Sequence, residues 1–486
     1  MEKAKPAIDG DGVLVSGENA KLSLGIAALF TWISWMNTYS VMPEGVPWQV
    51  MYLALALAFC CCALTVVMDR RRSVRDSGDA AREDGGGEDA GPERRGPLMG
   101  LNAGVLAACP LLLAVGRLLP GTEWLSLAAV LVGGFVLGFE YVRWACLVSR
   151  IAPLSAIGVV LGGAVVWSVA YAVLVSIPFE GSVVVAAGLP VIAFVSFRRT
   201  SPSMAEAPHV GAYRRLLSWQ SAVKVWIVLF AVCLVVSTAV LGTSPLAGGR
   251  DFTQTLWSRM AIDIALCIGV MLWAGRTALD FSFSLLWRGI ASLLVIALAL
   301  GLVFPGSYGF VLFSYTAWNL LIPLVWITVC AAMRVVPFDR RLAAAAGLGA
   351  YALPYFLASV LYAPVSLWDG AVGIFAVSLV VLFFATCFVV ESRDPELAYI
   401  FEGLRGRSLS VDEFETIDSR CADIATSKGL TPREQEVMAL VCKGMSRTYI
   451  AEKLFISENT VKAHVSRVYA KLGVHSRGEL QKYVGA

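Results

Sequence analysis

Over the first 390 positions apolar residues come in long blocks, and polar residues are confined to short breaks between them. A helix needs about twenty consecutive apolar residues to cross a hydrocarbon layer of roughly 30 Å. Leu53–Met68 and Ala291–Phe304 lie inside blocks of this kind. The pattern predicts twelve membrane-crossing helices, near 22–42, 48–68, 98–119, 122–142, 151–175, 181–197, 222–242, 257–275, 284–304, 308–333, 342–362 and 370–390. A polar tail, 1–21, precedes the first block. Further blocks follow it, with no small-residue cleavage site ahead of a soluble domain, so it is read as a retained helix and not a signal peptide.

After position 390 the periodicity changes. Residues 391–427 form an acidic linker with nine Asp/Glu against four Arg. Within it, Ser410-Val411-Asp412-Glu413 has the form of a capping box. Val411, Phe414, Ile417, Cys421 and Ile424 then recur at three- and four-residue steps, the signature of one apolar helix face. That face needs a partner, either the following domain or a second copy of the chain.

Residues 428–486 read as a separate domain of short helices. Thr431-Pro432-Arg433-Glu434 opens the first: Thr as N-cap, Pro in the first turn, Glu reaching back. Val437, Leu440 and Val441 form its apolar stripe, and Gly444 stops it. Ser446 caps a second helix with Ile450, Ala451 and Leu454 inward, and Phe455-Ile456 make the turn. Ser457 caps a third, Glu458–Leu472, which Gly473 ends. Ser476-Arg477-Gly478-Glu479 is another capping box and starts a fourth. Three short helices with a tight turn between the second and third describe a helix-turn-helix, whose third helix enters a major groove.

Composition supports the division. The chain is 57% hydrophobic and 15% charged, against roughly 45–50% and about 25% in soluble domains. The net charge of +3 is uninformative by itself, because the charges are segregated. Alternate connections between the predicted spans are basic: Arg70, Arg71, Arg72 and Arg75; Arg143 and Arg150; Arg198, Arg199, Arg214 and Arg215; Arg276 and Arg288; Arg334, Arg340 and Arg341. The intervening ones are nearly free of Lys and Arg, and only Arg250 breaks the pattern. Basic connections stay cytoplasmic. Both termini are therefore predicted on the cytoplasmic side of a cell membrane, the inner membrane of a bacterium. Residues 69–97, rich in Arg, Asp and Gly, read as a disordered cytoplasmic loop. A second long connection, 198–220, separates two groups of six spans. That layout resembles the major facilitator fold in topology, without a copy of that family's loop signature.

The resemblance of the C-terminal segment is far more specific. LTPREQEVMALVCKGMSRTYIAEKLFISENTVKAHVSRVYAKLGVHSRGEL is similar, nearly end to end, to the four-helix DNA-binding domain of LuxR/NarL-type regulators. Glu434, Gly444, Ile450-Ala451, Ser457, Thr460-Val461-Lys462, His464-Val465, Lys471-Leu472 and Ser476-Arg477 fall on that family's pattern. The resemblance implies base-reading positions at Lys462, Ala463 and Ser466 on the third helix. It implies phosphate contacts from Thr460, Arg467, Lys471 and Arg477, and a dimerising fourth helix with Leu480, Tyr483 and Val484. Residues 429–486 carry nine Lys/Arg and five Asp/Glu, a surplus that suits a polyanion.

Polar residues inside the predicted spans are costly in lipid and mark candidate sites. Asn37, Glu140, Asp263 and Asn319 are the candidates within 22–390. Arg259 and Asp263 are four apart and share a helix face, as Glu140 and Arg143 do at a spacing of three. Two readings stand for them: salt bridges that tie helices together, or a ligand pocket or proton-coupled site near the bundle centre. Trp167, Tyr171, Tyr315, Trp318, Tyr351 and Tyr355 are candidate lining residues, or interface anchors.

The sequence therefore predicts an all-α protein, a polytopic bundle that senses a small molecule joined to a helix-turn-helix domain. Expected partners are double-stranded promoter DNA, an unidentified small-molecule ligand, membrane lipid, a second copy through the C-terminal domain, and RNA polymerase. The alternative is a small-molecule transporter with a DNA- or protein-binding tail. The cytoplasmic parts contain no nucleophile–base set, phosphate loop or Cys/His zinc spacing, so no catalysis, cofactor or metal is expected.

Overall fold

The computed structural model describes residues 17–38, 49–76, 98–151, 153–200, 219–247, 251–276, 292–293, 295–297, 299–300, 303–304, 307–335, 339–365, 381, 411–442, 447–454 and 456–484. Within these the chain is helical and has no strand. It divides into two compact units, 1–392 with 400–406, and 393–399 with 407–486.

The first unit contains ten long helices among the described residues: α1 Gly17–Met36, α2 Val50–Asp76, α3 Leu98–Leu118, α4 Glu123–Val148, α5 Pro153–Ser176, α6 Phe179–Arg198, α7 Trp219–Ala247, α8 Asp251–Arg276, α9 Tyr308–Val335 and α10 Arg340–Val365. Eight helical stretches are long and apolar enough to cross a membrane, from Val50–Asp69 to Arg340–Val360. This is a multi-pass membrane protein. Side chains that point away from the bundle are as apolar as those inside, for example Val184 at 69% exposure and Leu57 at 51%, which is what lipid as solvent requires. Of the span predicted at 284–304 only fragments between 292 and 304 are described, and of that at 370–390 only residue 381.

Two expectations are corrected. Residues 69–76 were assigned to a disordered loop, yet α2 runs on to Asp76. Arginine is a good helix former, and an existing helix extends at one hydrogen bond per residue without a new nucleus. Pro153, expected within a span, is instead the first residue of α5, where its missing N–H costs nothing.

Helices α1–α6 pack among themselves, through α1 on α5 and α6, α4 on α2 and α3, and α3 on α6. Helices α7–α10 form a second group, α10 and α9 both lying on α7, and α9 also on α8 and α10. The two groups meet mainly where α2 packs on α10 and α5 on α8. Within the first group glycines allow very close approach. A Cβ on Gly138 of α4 would stand 2.5 Å from Ala58 Cβ of α2, and one on Gly134 would stand 2.7 Å from the Met51 carbonyl oxygen. Without a hydrophobic effect between helices in lipid, this close contact and interhelical hydrogen bonds hold the bundle. Ser23 Oγ of α1 donates to the Val159 carbonyl of α5 at 3.0 Å, and Trp32 Nε1 to the Leu106 carbonyl of α3 at 3.2 Å.

The second unit has five helices among the described residues: α11 Val411–Lys428, α12 Pro432–Cys442, α13 Arg447–Lys453, α14 Glu458–Leu472 and α15 Arg477–Val484. Its core is Val437, Met438, Ile450, Val461, Val468 and Leu480, all nearly inaccessible. Of the apolar face predicted for α11, Cys421 is buried and Ile424 half-buried, while the side chains of Val411, Phe414 and Ile417 lie outside the described residues; Ala425, not part of that face, is also buried, and the helix packs on α12 and α15.

Candidate nucleic-acid interface

The helix that would read DNA is fixed at both ends by local chemistry. At its start Ser457 is extended and its Oγ accepts the Thr460 N–H at 3.1 Å. This satisfies one of the orphan donors at a helix N-terminus. At its end Gly473 adopts φ +69°, and its N–H closes onto the Tyr469 carbonyl, a left-handed stop that a side chain would strain. Between them Val461, Val465, Val468 and Leu472 are buried, while Lys462, Ala463, Ser466 and Arg467 are exposed. The four exposed residues share one face, because a 3.6-residue period sets 462, 463, 466 and 467 on the same side. Thr460 stands at the capped end, its hydroxyl paired with Ser457 Oγ at 2.8 Å. Arg477 is exposed at the first position of α15.

Two groups of residues stand elsewhere than the resemblance implied. The Lys471 ammonium is turned to the protein: Nζ donates to Glu434 Oε2 at 2.7 Å and to the Gly429 carbonyl at 2.9 Å. These bonds tie α14 to the start of α12, while the lysine side chain stays 35% exposed. On α15, Leu480 is fully buried and Val484 is 3% exposed, whereas Tyr483 is 45% exposed. Of the three residues assigned to dimerisation, two face the domain's own core and Tyr483 alone is presented outward.

Glu434 is the electrostatic pivot. Its Oε2 also accepts the Thr431 N–H at 2.9 Å, and its own N–H reaches Thr431 Oγ1 at 3.3 Å, the reciprocal pair of a capping box. The Lys471 and Thr431 donors hold its carboxyl down at about 2. A similar cap opens α15, where Ser476 Oγ accepts the Glu479 N–H at 3.2 Å. Sequence reasoning missed Arg433, whose guanidinium joins Glu436 at 2.7 Å and the Leu454 carbonyl, and Arg447, exposed at the start of α13. A basic residue at a helix start was the available signal for Arg447. Ser410, Gly444, Ser446 and Phe455, expected in caps and turns, lie outside the described residues.

In the bundle the four polar candidates separate into three places. Glu140 is closed off: Oε1 accepts from Asn102 Nδ2 of α3 at 2.7 Å and from Arg143 Nη1 at 2.8 Å. Asp263 and Asn319 meet, Asn319 Nδ2 of α9 donating to Asp263 Oδ2 of α8 at 2.6 Å. Asp263 Oδ1 is buried and has no hydrogen-bond partner among the described residues. Arg259, one turn away, lies over the Tyr315 ring at 4.2 Å. Asn37, just past the end of α1, donates to the Tyr52 hydroxyl at 3.3 Å, and Tyr52 stacks toward Tyr355, which also neighbours Trp318, with centroids 4.2 and 4.6 Å apart. Tyr52 was not anticipated as part of this group. No group of three or more metal-ligating side chains occurs among the described residues.

With this geometry in place, comparison decides the C-terminal domain. The model of the family described as bacterial regulatory proteins, luxR family, matches residues 428–484. That segment is a LuxR-family helix-turn-helix domain. The LuxR-type domain is 51% identical over 51 residues to a protein of Mycobacterium tuberculosis named as an HTH-type transcriptional regulator, covering 10% of this chain and 6% of the relative. It is 46% identical over 56 residues to the oxygen regulatory protein NreC of Staphylococcus aureus, covering 12% of this chain and 26% of that one. The chain thus spans a small part of the length of these relatives, and the likeness is that of the LuxR-type domain. LuxR-type regulators bind DNA and often dimerise, and these matches point to a DNA-binding regulator. The fold resembles the crystal structure of the human organic anion transporter MFSD10, with TM-score 0.52 and 16% identity, covering 76% of this chain and 99% of that one. The bundle therefore has the major-facilitator-like fold that its six-plus-six layout implied.

Proposed function

We propose that the chain is a one-component transcriptional regulator held in the cell membrane, with both termini in the cytoplasm. The bundle binds a small molecule, and the LuxR-type domain grips promoter DNA as a homodimer. The observation that carries this reading is the exposed face of α14, Lys462, Ala463, Ser466 and Arg467, on a helix capped and anchored at both ends, in a chain whose remainder is a membrane bundle. Lys462 is assigned to a guanine edge or phosphate, Ala463 to a thymine methyl, Ser466 to a base edge. Thr460, Arg467 and Arg477 are assigned to phosphates. Tyr483 supplies the exposed part of the dimer contact, and RNA polymerase is a further partner. The ligand candidates are Asp263, Asn319 and Asn37. Glu140, already satisfied by Asn102 and Arg143, is assigned to holding α3 on α4. A ligand shifts the bundle only if it prefers one of two conformations.

The test is recovery of chromosomal DNA crosslinked to the tagged full chain in its own cells. Discrete promoter fragments are expected, and Lys462→Ala should reduce their yield. Equal, scattered recovery from wild type and variant would defeat the reading. The second reading, a transporter with a regulatory tail, is favoured by the buried, half-satisfied Asp263 and by the transporter fold. It predicts substrate flux into vesicles that Asp263→Asn abolishes.

A further inference from the structure

The family match begins at residue 428 and assigns nothing to α11. Yet α11 belongs to the same compact unit. We propose that α11 is the arm through which the bundle sets the DNA grip, and that Arg420 on it is a positioning residue for α15. The inference rests on the DNA-binding reading above.

Two ties, one near the middle of α11 and one just past its C-terminal end, reach two different helices. Near its middle, Arg420 Nη1 donates to the Val484 carbonyl at 3.5 Å. Val484 is the last residue of α15, and the last four carbonyls of a helix have no donor of their own. A guanidinium placed there supplies a donor and a charge that the helix dipole favours. At the C-terminal end of α11, Gly429 takes φ +65° and the Leu430 N–H closes onto the Ala425 carbonyl at 2.9 Å. This leaves the Gly429 carbonyl turned outward to receive Lys471 Nζ, from the last turn of α14, at 2.9 Å. The two ties are nine residues apart, about 13 Å along a helix.

Between them the arm is seated on the domain core. Cys421 is fully buried and Ala425 is 3% exposed. The Cys421 thiol neighbours that of Cys442 at the end of α12, which is also buried. A rigid helix seated this way cannot shift without moving the far ends of both α14 and α15. Those are the reading helix and the helix carrying Tyr483. In chain order α11 comes after the bundle and before the LuxR-type domain, so it is the first described helix of the second unit. Small displacements of a packed helix are a recognised means of switching.

The experiment uses the full chain, tagged, in its own cells, with crosslinked chromosomal DNA as the readout. It compares wild type with Arg420→Ala, Arg420→Lys and Lys462→Ala. Membrane level and protease resistance of the C-terminal unit are measured alongside. Loss of one charge-assisted hydrogen bond should lower DNA recovery by Arg420→Ala roughly three- to ten-fold, with protease resistance unchanged. Arg420→Lys keeps a cationic donor and should restore recovery. Wild-type recovery by Arg420→Ala, while Lys462→Ala loses DNA, overturns the role of α11 and leaves the DNA reading intact. Loss of DNA together with protease resistance, not rescued by lysine, also overturns it, since Arg420 would then serve only folding. Wild-type recovery by Lys462→Ala sinks the DNA reading itself, and this inference with it.

Discussion

Replacing Glu434 by glutamine should release the far end of the helix that presents Lys462. The wild-type carboxylate is 3% exposed and accepts two hydrogen bonds, from Lys471 Nζ at 2.7 Å and the Thr431 N–H at 2.9 Å. Charge-assisted bonds contribute about 1.5–3 kcal/mol each. Glutamine keeps a neutral acceptor, and the lysine side chain is 35% exposed, so part of the gain is screened. A loss of about 2 kcal/mol follows, or about thirty-fold in the opening equilibrium at 1.4 kcal/mol per decade. Hydrogen exchange of the full chain, followed at amides of α12 and α14, measures it directly. Lys471→Met should cost more than Glu434→Gln, because it leaves an ionised carboxylate buried with a single strong donor. The pH dependence has a fixed sign. The carboxyl is held at about 2 in the folded domain, below its ordinary 4.5. Its contribution is therefore complete above about 4.5 and is lost as pH falls toward 2, and Glu434→Gln should lack that component. Exchange in Glu434→Gln within about two-fold of wild type at neutral pH would refute the assignment of Lys471 as an internal tie.

Four further outcomes follow from local geometry. Gly473→Ala forces a side chain into φ +69° and should destabilise the domain by about 1 kcal/mol, read in the same exchange experiment; Ser457→Ala, losing the α14 cap, should cost a similar amount. Lys462→Ala should lower the salt dependence of DNA binding by about one unit of log–log slope if it contacts a phosphate, checked by titrating salt against a recovered promoter fragment. Gly138→Val would drive a side chain into Ala58, where even a Cβ stands at 2.5 Å, and should sharply reduce the yield of monodisperse membrane protein in size-exclusion chromatography.

What the sequence disclosed here was mostly local. Thr431 with Glu434, and Ser457 with Thr460, are three residues apart, so their caps follow from side-chain chemistry that acts over one helical turn. The apolar face of α14 was legible for the same reason. Long-range partners were not. Lys471 lies 37 residues from Glu434, and nothing in its own neighbourhood distinguishes a lysine aimed at a phosphate from one aimed at a buried carboxylate. The periodicity of α15 marked Leu480 and Val484 as apolar without saying whether the core or a second chain covers them. In the bundle, Asn319 is 56 residues from Asp263, and the spacing of charges along α8 pointed only to Arg259. The end of α2 was misjudged because composition describes a segment's solubility, while helix continuation depends on the turn before it.

The glycine contacts of α4 restrict how this membrane protein can change shape. Gly134 seats the Met51 backbone and Gly138 the Ala58 side chain of α2, and Gly25 of α1 and Gly133 of α4 seat the rings of Trp144 and Trp32. Surfaces so closely fitted behave as welds: sliding by even one side-chain width would collide main chains. The first six helices should then move as one block, leaving the α2–α10 and α5–α8 junctions as the slip planes. Those junctions are bridged by rings and flexible side chains, Tyr52 against Tyr355 and Tyr171 beside Leu256 and Met260, which can exchange neighbours without breaking a helix. Relative movement of the two helix groups should therefore be concentrated in those two planes.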